Sequence, residues 1–73
     1  MIYRSTLDTL TEDELSILFF IADRFLNPLD ININFIKMLR LNVVIPMLDV
    51  LKPQAIEQNR YIFDSLKNKL QNQ

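Results

Sequence analysis

The sequence predicts a small, mainly α-helical domain of three to four helices, and three observations carry that reading. Apolar residues make up 49% of the 73 residues, and they recur at helical spacing in several segments. Thr11-Glu12-Asp13-Glu14 has the form of a capping box, a helix-start signal. The chain holds no glycine, so the Asn-Gly and Asp-Gly pairs that make the tightest hairpins are missing. At this length residues 1–73 form one domain.

The best-defined element is the first helix, expected over about 12–26. The Thr11 hydroxyl can accept from the Glu14 amide while the Glu14 carboxylate accepts from the Thr11 amide. Leu10 and Leu15 stand where a hydrophobic staple forms, and three acids in the first turn suit the positive end of the helix dipole. Asn27 is a candidate C-terminal cap and Pro28 forbids continuation. Leu15, Leu18, Phe19, Ala22, Phe25 and Leu26 make one apolar stripe. Ile17, Phe20 and Ile21 fall outside it, so the helix is apolar nearly all round and needs cover on a second side.

Ile31-Asn32-Ile33 alternates, as a short strand or as the lead-in to a helix. Asn32 or Asn34 can cap a second helix over about 34–40 that buries Phe35, Ile36 and Leu39. Leu41-Asn42 reads as a tight turn, with Asn42 a candidate cap for a third helix over about 44–51. Its start is set at Val44 or Pro46, because the residue before a proline is pushed out of the α region. Leu48 and Leu51 would be buried, and Pro53 ends the helix. The tail allows two drawings. In one, Pro53 opens a long helix to about Leu70 with Ile56, Phe63, Leu66 and Leu70 inside, giving an all-α bundle. In the other, Ala55-Ile56-Glu57 and Arg60-Tyr61-Ile62 form a short two-stranded ribbon, and Asp64 caps a last helix through Leu70. Gln71-Asn72-Gln73 should fray.

Composition narrows the chemistry. There is no cysteine and no histidine, so disulfides, the usual transition-metal ligands and His-based nucleophile activation are all missing. Ser5, Ser16 and Ser65 have no His base, and Asp13 and Glu14, adjacent on a helix, point about 100° apart rather than forming an acid–base dyad. No enzyme activity, cofactor, metal or small-molecule substrate is expected. A domain this small without staples relies on dense helix packing or association, so a homodimer or a protein partner is expected. The first residues lack the apolar core of a signal peptide. The longest apolar run, Ile17 to Ala22, is far short of the roughly 18 residues of a membrane span. The expectation is a cytoplasmic protein with no membrane partner.

Net charge is −1, but its distribution is uneven. Residues 1–30 carry six acids against two bases, and residues 31–73 six bases against three acids. A basic second half points to a nucleic-acid face. The order of parts is a capped helix, a short Ile-Asn-Ile segment, a short helix, the turn Leu41-Asn42, a further helix, then a ribbon and a closing helix. From Leu10 to Leu70 this resembles a winged helix-turn-helix domain. Leu10 to Leu18 is similar to the first helix of such regulators, and Phe35 to Leu51 to the helix-turn-helix. The resemblance implies binding of double-stranded DNA and a role in transcription. The chain departs from that family in having no glycine at the wing. It also offers one basic residue, Lys52, and a repelling Asp49 among the exposed candidates from Asn42 to Lys52. Binding would then run mainly through phosphate contacts, with Lys37, Arg40, Lys52 and Arg60 in that role, Lys67 and Lys69 as outlying help, and Tyr61 stacking on a base or sugar. The alternative is a non-enzymatic interaction adaptor or homodimeric module that uses the apolar face of the first helix, with Ile17, Phe20 and Ile21 at the interface and Met38 and Met47 adding to it.

Overall fold

A computed structural model describes residues 2–26 and 33–73, without the side chains of residues 25, 26 and 33–35. Among these residues there are five α-helices and no strand: α1 Arg4–Leu7, α2 Glu12–Leu26, α3 Ile33–Met38, α4 Leu41–Leu51 and α5 Arg60–Gln71, with two 3₁₀ turns, Lys52–Gln54 and Glu57–Asn59, between α4 and α5. The α2 helix packs against α3, α4 and α5, and α5 also packs against α4. None of the described helices is long and apolar enough to cross a membrane. The expected Asn27 cap, the Pro28 stop, residues 31 and 32 of the Ile-Asn-Ile segment, and the side chains of Phe25, Leu26 and Phe35 lie outside the described residues.

The start of α2 is built as its sequence dictates. The Thr11 amide donates to Glu14 Oε1 at 3.0 Å, and the Glu14 amide donates to the Thr11 hydroxyl at 3.2 Å. Leu10 and Leu15 both pack against the core from its edge, as a staple does. The buried face differs from the expected stripe. Leu18, Ile21 and Ala22 are sealed inside, while Phe19 is only partly buried. An all-round apolar helix has no unique inner face by pattern, and here α5 settles the rotation by meeting the Glu14 side.

The α4 helix begins at Leu41, three residues before the earliest expected start, so Asn42 lies inside the helix and Arg40 takes the N-cap position. Pro46 therefore sits in the helix interior. The helix runs through Ile45-Pro46 despite their local penalty, and Val44 and Leu48, one turn apart, are both buried in the core. Leu51 is half-buried: it packs against the core and also lines a groove.

The tail is all-α, as the first drawing has it, though not as one unbroken helix. The ribbon segments are turn and helix: Glu57–Asn59 is a 3₁₀ turn, and Arg60, Tyr61 and Ile62 open α5. The long helix from Pro53 is broken by those turns, and Ile56 is exposed rather than inside. Leu66 and Leu70 are buried in α5 as expected. The N-terminal segment adds a part that the pattern did not reveal. Ile2, Thr6 and Leu7 are buried, and the Tyr3 amide donates to Gln73 Oε1 at 3.1 Å. That hydrogen bond joins the two ends of the chain.

Candidate interaction surface

The basic residues of the second half are mostly spent on internal partners. Lys52 Nζ meets Asp64 at 2.8 Å, Lys67 meets Asp49 at 2.8 Å, and Lys69 meets Glu14 at 2.7 Å. Arg60 donates from its guanidinium to the carbonyls of Ala55 and Pro53, both at 3.3 Å. This caps the turn that follows α4, in the manner of basic side chains on exposed helix-end carbonyls. Of the expected phosphate contacts, Lys37 at the end of α3 and exposed Arg40 have no ion-pair partner among the described residues. Tyr61 is exposed near the start of α5. The fold thus gathers Lys52 and Arg60 around one turn but engages both there.

The apolar candidates divide differently. Ile17 and Phe20 stand side by side on α2 and line an open groove of about 350 Å³. Its floor and far wall come from Leu51 at the end of α4, Ala55 after the turn, and Phe63 on α5; Ser16 and Gln54 form the rim. Phe20 is 48% exposed, and the Arg24 guanidinium lies over its ring at 5.3 Å from the centroid, a cation–π arrangement that holds both side chains in place. Ile21, grouped with these two by sequence, is a correction: it is 0% exposed and belongs to the core. One residue of helix is a 100° turn, enough to carry Ile21 from the outer face to the inner one. Met38 is exposed, and Met47 is partly buried against the core.

Beside the groove, Glu14 forms a buried polar joint. It is 2% exposed. Its Oε1 accepts from the Thr11 amide and from Lys69 Nζ, and its Oε2 accepts from the Ser65 hydroxyl at 3.3 Å. Lys69 also donates to the Thr9 carbonyl at 2.9 Å, so the joint ties the start of α2 and the loop before it to α5. Burial pushes the Glu14 carboxyl upward, but the Lys69 hydrogen bond, the Thr11 amide and hydroxyl, and the Lys69 charge together outweigh it and hold the carboxyl below its ordinary value. A small cleft of about 150 Å³ opens onto this joint, with Tyr61 among its lining residues.

Sequence reading missed Leu51, Ala55 and Phe63 as groove residues and Lys69 as a structural cation. The signal for Glu14 was present in the capping box, but its partner stands 55 residues away, beyond any local pattern. The chain matches no protein-family model, no curated protein sequence and no solved structure.

Proposed function

We propose that this chain is a non-enzymatic protein-interaction module whose binding surface is the apolar groove between α2, the end of α4 and α5. What carries the reading is Phe20: a large aromatic side chain half in solvent, beside an open cleft lined by Ile17, Leu51, Ala55 and Phe63. Half-exposed aromatics beside an apolar cleft are what interaction hot spots are made of, and a cleft between helices suits the apolar face of a partner helix. A nucleic-acid role in transcription, on a winged-helix-like scaffold, is the second reading. It draws its support from Lys37 and Arg40, which have no ion-pair partner among the described residues. Its other phosphate contacts would each have to leave an internal partner first.

The two readings separate by site-specific photo-crosslinking in cells that make the protein. A benzophenone side chain replaces Phe20 in one variant and Arg40 in another. The interaction reading expects protein adducts from position 20 that fall away when Phe63→Asp charges the groove. Nucleic-acid adducts from position 40, with no protein adduct from position 20, would overturn it.

A further inference from the structure

We propose that the groove is occupied by a second copy of this chain, paired antiparallel through α2; this rests on the interaction-module reading and names its partner. Asp13, Ile17, Phe20 and Arg24 follow one another at spacings of four, three and four residues. At 3.6 residues per turn these positions share one stripe along the helix. The stripe borders the core face of Leu18, Ile21 and Ala22: Asp13, Phe20 and Arg24 are exposed, and Ile17, half-buried, packs against the core from its edge. Neither Asp13 nor Arg24 has an ion-pair partner among the described residues.

The order of chemistry along the stripe is acid, apolar, apolar, base, and its spacing reads the same in both directions. A two-fold axis placed midway between Leu18 and Phe19 therefore brings each element to its complement. Asp13 meets Arg24 of the second copy, Ile17 meets Phe20 of the second copy, and both contacts occur twice, as an isologous interface requires. A parallel pair would set Asp13 on Asp13 and Arg24 on Arg24, so the same charges that favour one orientation repel in the other. Arg24 already lies over the Phe20 ring, which fixes the guanidinium at the edge of the groove. Each copy then offers its Phe20 to the cleft formed by Leu51, Ala55 and Phe63 of the other.

Sedimentation equilibrium on the full chain tests the pairing. The parent is expected to be a reversible dimer. Asp13→Arg and Arg24→Asp should each raise the dissociation constant about tenfold or more, since two attractive pairs become two repulsive ones. An equimolar mixture of the two variants should form a heterodimer of roughly parental strength. There the base introduced at position 13 of one copy faces the acid introduced at position 24 of the other, and the unaltered Arg24 of the first faces the unaltered Asp13 of the second. Rescue on mixing also shows that neither variant had merely unfolded. Where Asp13→Arg disturbs the helix start, Arg24→Glu gives the same reading from the other end. A monomeric parent at all concentrations, or a dimer that neither substitution weakens, overturns the proposal. A monomeric parent whose position 20 still cross-links to a different protein removes the second copy and leaves the module reading standing. A monomeric parent with no protein adduct at position 20 removes both.

Discussion

Glu14 shows how one side chain serves two levels of structure. It completes the capping box that starts α2 and, with the same carboxylate, receives Lys69 and Ser65 from α5. Charge removed from water costs several kcal/mol, so breaking a buried pair by deleting one partner is costly. An exposed pair is worth about 0–1 kcal/mol. Lys69→Met should therefore destabilise the fold by roughly 2–4 kcal/mol, less than the extreme because the Lys69 side chain keeps 31% of its exposure. Lys67→Met, whose partner Asp49 is well exposed, should cost under about 1 kcal/mol. Urea unfolding of the two variants side by side checks the contrast; equal losses would contradict it. Because the folded carboxyl titrates below its unfolded value, the stability it contributes is complete above the unfolded value. It is lost as pH falls through the folded one. Glu14→Gln keeps the acceptor shape and should flatten the acid limb of stability against pH. An unchanged acid limb would place the titrating group elsewhere. The Thr11–Glu14 half of this joint was legible from four consecutive residues. Lys69 was not, because a salt bridge between elements is written only in three dimensions.

At the scale of elements, local rules and packing compete most openly in α4. Ile45-Pro46 argues for a helix that starts late, yet the helix runs through both residues, and Val44 and Leu48, one turn apart on the same face, are both sealed in the core. The outcome leaves Pro46 inside the helix and exposed. Its ring removes one intrahelical donor, the N–H that would reach the Asn42 carbonyl, and crowds that carbonyl. Pro46→Ala should thus stabilise the protein by roughly 1–3 kcal/mol, seen as a higher urea midpoint at an unchanged slope. A lower midpoint would mean that the proline is needed where it stands. The boundary between α4 and α5 was the least legible part. As expected, α4 ends at Leu51 just before Pro53, but Pro53 opens neither a long α-helix nor a ribbon. It sits in a 3₁₀ turn whose carbonyls are capped by Arg60. No periodicity marks such a turn, because its fixing contact comes from a side chain on the next element. The short α1 escaped for a related reason: four residues make no period, and Ile2 and Leu7 are apolar anchors only against a core assembled from elsewhere.

For the whole molecule, helical class was legible because amphipathic spacing and helix starts are local properties. The charge layout was not. Two clusters suggested by the uneven sequence become cross-links between α4, α5 and the ends of neighbouring elements. The folded chain has a radius of gyration of 11.4 Å, close to the about 11 Å expected for its length. It exposes 4930 Å², near the about 4,700 Å² expected of a monomer of its mass. The apolar surplus is not all absorbed within one copy: Met38, Val50, Ile56 and Tyr61 are among the large apolar side chains left exposed. Among the described residues, Phe20 is the exposed large apolar side chain that stands beside the apolar groove, bracketed by Asp13 and Arg24. Pairing through that stripe fixes the orientation of two α2 helices, and a single distance measures it most directly. The chain has no cysteine of its own, so Glu12→Cys places one spin label per copy, and pulsed electron resonance reads the separation. Antiparallel pairing puts the two positions roughly 20 Å apart along the axis at 1.5 Å per residue, and about 22 Å once the interaxial gap is included. A distance near 10 Å would indicate parallel helices, and no dipolar signal a lone chain; either result contradicts the pairing.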